Sequence, residues 1–150
     1  MEMEIVKPFT VDIKHIADDR GFLVPISQFL PVELQKEIKR TYVVGDYGKG
    51  VIRGLHGHRK EMKIFYIIKG SAKFVAINMG DSTDKYEITL GERANRLFVV
   101  PPGYFNGWVS LEEGTLLVAL STSTFEESVK DDEREDPYRY GADIWGVKAR

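Results

Sequence analysis

The sequence predicts an all-β domain, a sandwich or barrel of short strands. Glycine, proline and aspartate recur between β-rich segments, at DDRG, GDYGKG, NMGDSTD, GERAN, PPGY and EEG, the punctuation of many tight turns. The intervening segments run about four to eight residues and are rich in valine, isoleucine and aromatics, the usual length and composition of strands. One helix-like piece precedes the tail, Pro31 to Ile38, with proline at its first turn, where a missing N–H costs nothing.

In order along the chain, the candidate strands are Val11–Ile16, Phe22–Phe29, Thr41–Val44, Val51–Leu55, Lys63–Lys69, Ala72–Asn78, Tyr86–Leu90, Arg96–Val100 and Leu116–Ser121. Ile64 to Ile68 is apolar on both faces, so it needs cover on both sides, from a core within and a second sheet or subunit without. That requirement points to a homodimer. Residues 126–150 form a C-terminal tail. Its acidic run EESVKDDERED reads as a solvated linker or helix face. Tyr138, Tyr140, Ile144 and Trp145 are too apolar for water and should pack on the domain or a partner.

At 150 residues the chain reads as a single domain, 1–150, able to bury roughly two-thirds of its unfolded surface. Twenty-one basic against 23 acidic residues leave a net charge of −2 with no basic stripe, which excludes nucleic acid as a partner. There are no cysteines, hence no disulfide framework and no thiolate metal site, as suits a reducing compartment. The opening MEMEIVKPF has no apolar leader core, and no apolar run approaches the ~18 residues of a membrane span. The expectation is a soluble, cytoplasmic protein.

The chemistry concentrates in Gly50 to Gly70, GVIRGLHGHRKEMKIFYIIKG. His56 and His58 are two apart, so an extended backbone turns both imidazoles to one face. Such a pair either binds metal or moves protons. A core would have to satisfy two rings on one face, which makes packing alone a poor explanation. His15, by contrast, reads as a packing residue.

With Gly50, His56, His58 and Gly70 in register, the segment resembles the first motif of the cupins, G-x5-H-x-H-x4-E-x6-G. The resemblance implies a cupin jelly-roll β-barrel, a double-stranded β-helix. It also implies a metal site, which these residues do not complete. Lys63 stands where the glutamate ligand belongs. In the second motif, VPPGYFNGW supplies Pro101 and Gly103 but puts Asn106 in the last ligand's place. An ammonium and an amide are poor substitutes for carboxylate and imidazole, so no metal and no cofactor is expected.

A second resemblance is sharper. DDRGFL at 18–23, RGLH at 53–56, Lys63, VPPGYFNGW and the late Asp136–Pro137 are together similar to the dTDP-4-dehydrorhamnose 3,5-epimerase family, metal-free cupins that act on nucleotide-diphosphate 4-keto-6-deoxy sugars. The resemblance implies His56 as the base that removes a proton next to the C4 ketone, with Lys63 holding the enolate oxygen. It places Asn106 as a hydrogen-bond donor to the substrate, and Arg20 and Arg53 near the nucleotide and its diphosphate. A histidine with pKa near 6.5 and a fixed cation suit that chemistry.

Three positions depart from that pattern. The family's tyrosine acid aligns with Val118, the aspartate partner of the base lies beyond the DP segment in longer enzymes, and His58 replaces another residue. RGLHGH is closer to the RGxHxH of the sugar 3,4-ketoisomerases, in which two histidines work. Tyr42 and Tyr104 are the first candidates for a replacement acid, ahead of Tyr47 and Tyr66. The leading expectation is an epimerase acting at C3, with C5 as a second centre. The alternatives are a 3,4-ketoisomerase using His56 and His58, a non-catalytic sugar-nucleotide binder, and, last, a metal-dependent cupin.

Overall fold

The computed structural model describes residues 4–150. Its strands are β1 (Phe9–Asp12), β2 (Ile16–Asp18), β3 (Gly21–Leu23), β4 (Arg40–Gly45), β5 (Ile52–His58), β6 (Lys63–Lys69), β7 (Ser71–Asn78), β8 (Asp81–Gly91), β9 (Arg96–Val100), β10 (Tyr104–Ser110), β11 (Leu116–Ser121) and β12 (Glu133–Arg134). Two short helices, α1 (Val32–Glu37) and α2 (Phe125–Lys130), and a 3-10 turn at Ala142–Trp145 complete the chain.

The strands form two five-stranded antiparallel sheets, ordered β1-β9-β6-β11-β4 and β12-β5-β10-β7-β8, with β2–β3 as a separate hairpin. The expected jelly roll is thus a sandwich whose two ladders remain distinct among the described residues. Alternation along the strands decides what fills it. Phe65 and Ile67 of β6, Phe74 of β7, Phe98 of β9, Trp108 of β10 and Leu117 of β11 meet in one inner cluster.

The outer faces are covered as well. On the first sheet, Ile64, Val99 and Val118 pack with Leu34 of α1, Leu30 and Ile13. On the second, Val75, Ile77 and Phe105 pack with Ile144 and Trp145 of the 3-10 turn. Strands buried on both faces read as continuous apolar runs, which accounts for KIFYIIK and FVAI. The outer cover of Ile64 therefore comes from α1 of the same chain, and Ile68 is exposed. This strand supplies no argument for a second copy.

Three expected elements are redrawn. Val11–Ile16 is divided between β1 and β2, and only Phe22 and Leu23 of the expected Phe22–Phe29 strand belong to a strand, β3. Pro25, which lacks an N–H to give a ladder, follows closely. PPGY, read as a turn, leads into a strand that is not among the candidates, β10, every residue of which is buried. Among the described residues no helix is long and apolar enough to cross a membrane.

Candidate active site

A cavity of about 530 Å³ is lined from both sheets and from α2. β5 lies between β10 and β12, and its register sets Asn106 opposite His56 and Tyr104 opposite His58. Close backbone approach explains the glycines of RGLHGH. Gly54 has φ +152°, and a Cβ there would lie 2.9 Å from the Cα of Gly107 on β10, where the register shifts around a bulge. A Cβ on Gly57 would lie 2.7 Å from the Phe105 ring. The two histidines can therefore alternate onto the cavity face only with a side-chain-free residue between them.

Both imidazoles line the cavity. The His56 side chain is 37% exposed and that of His58 only 4%. Between them lies Asp132, its Oδ1 3.6 Å from His56 Nδ1 and 3.5 Å from His58 Nε2. β12 adds to the edge of β5 with Arg134 opposite His56, and this pairing carries Asp132 over the rings. Arg134 Nε donates to Asp132 Oδ2 at 2.8 Å. Burial raises the Asp132 carboxyl, but that hydrogen bond and the neighbouring histidines outweigh it, leaving the group below its ordinary value.

Burial pushes His56 below the ordinary imidazole value; Lys63 and Arg134 push the same way, and Asp132 opposes them. The ring is therefore neutral near pH 7, and a carboxylate beside Nδ1 favours the proton there, leaving Nε2 as the free base nitrogen. Lys63, at the start of β6 in the opposite sheet, also lines the cavity. Burial lowers its affinity for a proton, and Glu61 and Asp132 counteract that.

Behind His58 lies Glu61, whose side chain is fully buried. Arg40 Nη2 donates to Oε1 at 3.0 Å, and Ser121 Oγ to the same oxygen at 2.5 Å. Ser128 Oγ donates to Oε2 at 2.7 Å, with His58 Nε2 3.1 Å from that atom. Arg40 in turn stacks its guanidinium over Tyr42 at 5.0 Å.

Of the residues singled out in the sequence, His56, His58, Lys63, Tyr42, Arg53 and Asn106 share this cavity. Asn106 Nδ2 donates to the His56 carbonyl at 3.2 Å, so its amide is partly engaged by the backbone. Arg53 Nε donates to the buried Asp46 at 2.6 Å. Tyr42 is raised mainly by burial and then by Glu61, so its phenol stays protonated.

The remaining candidates lie elsewhere. The Tyr104 hydroxyl donates to Asp84 Oδ2 at 2.5 Å, away from the cavity lining, and burial together with that carboxylate pushes its phenol up to about 12. Tyr47 is fully exposed, and Tyr66 packs on the outer face of the first sheet. Arg20 sits on the β2–β3 hairpin, exposed and paired with Asp18. His15 is also on the surface, stacked on Phe22 with ring centroids 5.5 Å apart. Val118 packs outward with Ile64, so the neighbouring residue of β11 that lines the cavity is Leu117.

Sequence reasoning missed Asp132, Glu61, Arg40, Ser128 and Arg134. Asp132 and Arg134 are hidden in an acidic run whose composition resembles a solvated linker. Glu61 sits in RKEMK, two residues before the metal-ligand position, and nothing local distinguishes it from a surface charge. Among the described residues no three histidine, cysteine or carboxylate side chains are arranged to hold a metal ion.

With that geometry in place, the chain can be set beside known proteins. A family model described as FdtA, WxcM-like, C-terminal, matches residues 7–136. The chain belongs to this FdtA family. A relative from Aneurinibacillus thermoaerophilus, TDP-4-oxo-6-deoxy-alpha-D-glucose-3,4-oxoisomerase, is 26% identical over 118 residues, 79% of this chain and 81% of that one. Among solved structures, dTDP-4-dehydrorhamnose 3,5-epimerase from Bacillus anthracis str. Ames, with TDP and PPi bound, superposes with a TM-score of 0.77 at 19% identity, covering 99% of this chain and 90% of the other. QdtA, a sugar 3,4-ketoisomerase from Thermoanaerobacterium thermosaccharolyticum in complex with TDP, gives a TM-score of 0.70 at 24% identity, covering 88% and 90%. The fold is thus the one that these epimerases and ketoisomerases share, and Arg53, His56 and His58 of RGLHGH line its cavity.

Proposed function

We propose that the protein is an isomerase of a nucleotide-diphosphate 4-keto-6-deoxy sugar, and that it moves the ketone from C4 to C3. The observation that carries this reading is His56 beside the Asp132 carboxylate, in a cavity that Lys63 also lines. His56 Nε2 removes the proton from C3; the electron pair forms C3=C4 and the charge passes to O4, where Lys63 meets it. O4 takes a proton, O3 loses one, and the proton on His56 is delivered to C4. No oxidant or reductant is needed. Four cations around the cavity, Arg40, Arg53, Lys63 and Arg134, suit a diphosphate.

Family membership and the curated relative support the 3,4-shift as the outcome. Epimerisation at C3 shares the first step and is favoured by one observation. Tyr42 lines the cavity from the sheet opposite His56, so it could return a proton to the other face of the enolate. Incubation with dTDP-4-keto-6-deoxyglucose in D2O, followed by NMR, separates the two. A ketone arriving at C3 supports the isomerase, and deuterium at C3 or C5 with the ketone still at C4 supports the epimerase. Absence of both would refute enolisation of this substrate.

We also infer a homodimer. Ile16, Phe22 and Leu23 of the β2–β3 hairpin are exposed together, an apolar surface suited to a second copy. Arg20 rides on that hairpin outside the cavity, so any contact with substrate would come from another copy's hairpin. Light scattering should give twice the chain mass, and Phe22→Asp should halve it; a wild-type monomer removes the proposal.

A further inference from the structure

Glu61 is the most deeply buried carboxylate near the cavity, yet it does not line it and no motif includes it. Its two oxygens face Arg40, Ser121, Ser128 and His58, at 3.0, 2.5, 2.7 and 3.1 Å. Donors approach both carboxylate oxygens, and a carboxylate only accepts. The His58 nitrogen facing it must therefore carry hydrogen. The same Nε2 lies 3.5 Å from Asp132 Oδ1 and 3.4 Å from Ser128 Oγ, both able to accept.

We propose that Glu61 is a positioning residue for the reaction, its buried carboxylate locking His58 as the Nε2–H tautomer and placing a negative charge behind the Lys63–Ser121 pair. This rests on the enolisation reading above. The lock has a mechanistic consequence: Nε2 of His58 is committed to Glu61 and Asp132, so only Nδ1 remains to exchange a proton with a substrate. His58 then acts chiefly by holding Asp132 in place for His56, and the two histidines are not equivalent bases.

The link to Lys63 runs through the β6–β11 ladder. Lys63 lies opposite Ser121, whose hydroxyl donates to Glu61. The charged and titratable groups that share the site with the ammonium are Glu61, Arg40 on β4, Arg53, His56 and His58 on β5, Asp132 after α2, and Arg134 on β12. Glu61 and Asp132 are the carboxylates among them, and Glu61 is the one removed from solvent.

NMR of the free protein tests this without relying on turnover. In wild type, the 15N spectrum of His58 should show a protonated Nε2 and a bare Nδ1; the opposite tautomer overturns the proposal even if every variant fails to fold. In Glu61→Gln, Lys63 should lose its proton about one pH unit earlier, a tenfold fall in proton affinity. An unchanged Lys63 titration in a folded variant also overturns it. Turnover then adds a check: the alkaline limb of kcat should move down with Lys63 while KM stays within twofold, and Glu61→Asp should restore part of the shift. The D2O experiment can fail while His58 remains Nε2–H; that result removes the reaction and leaves the tautomer lock standing.

Discussion

His56 illustrates how two neighbours set the working range of a base. Burial lowers its proton affinity and Asp132 raises it again, with burial the larger effect. The acid limb of kcat/KM should therefore lie below 6.5, the unperturbed value. Asp132→Asn removes the opposing charge, so the limb should shift to lower pH while kcat falls about 10²–10⁴-fold, the range for losing an effective base. A pH–rate profile checks both; identical curves for variant and wild type would separate Asp132 from the chemistry. Lys63→Met should lower kcat with little change in KM if the ammonium meets charge only as the enolate forms, a split that steady-state kinetics reads directly.

At the scale of elements, the site depends on α2 and β12, short pieces that hold Ser128 and Asp132 against the second sheet. Thr124 caps α2 in a reciprocal box with Glu127, its side chain accepting from the Glu127 N–H. Just past the helix, the Asp131 carboxylate accepts the backbone N–H groups of Arg59 and Lys60 at 3.0 and 2.8 Å, tying α2 to the loop after His58. Thr124→Ala should cost about 1 kcal/mol, a fall of about 2–4 °C in Tm, and should depress kcat because Ser128 and Asp132 lose a fixed base. A thermal scan with parallel kinetics tests it; lower Tm with full kcat would show that the site does not depend on the cap. Trp145 supports the other side. Its indole N–H donates to the Pro137 carbonyl at 2.7 Å, and its ring packs where a Cβ on Gly107 would come within 2.9 Å. Trp145→Ala should destabilise the fold by about 3–5 kcal/mol, measurable by urea unfolding.

Across the whole molecule, the two cavity histidines couple stability to pH. His56 and His58 are both lowered, with burial the first cause in each. The unfolded chain takes up these protons near 6.5, and the folded chain only at lower pH. Stability should then fall as pH drops from about 6.5 through the folded values. The His56→Gln, His58→Gln double variant should flatten that slope between pH 7 and 5, and an equally steep slope would assign it to other groups. Much of this molecule was legible beforehand: strands such as Lys63–Lys69, Arg96–Val100 and Leu116–Ser121 follow from local composition and turn chemistry, and the histidine pair on one face follows from the period of a strand. Lys63 and Asn106 also stand out, because a motif makes a mismatch visible. Asp132 and Glu61 have no such frame. An acidic residue carries the same local signature whether it faces water or an imidazole, and the choice depends on long-range contacts: a two-residue strand pairing with β5, and four donors drawn from β4, β5, β11 and α2. The sequence by itself determined an all-β chain with a base and a cation near its middle. Tertiary structure decided which carboxylates complete the site, since only folding brings those separated segments into hydrogen-bonding distance.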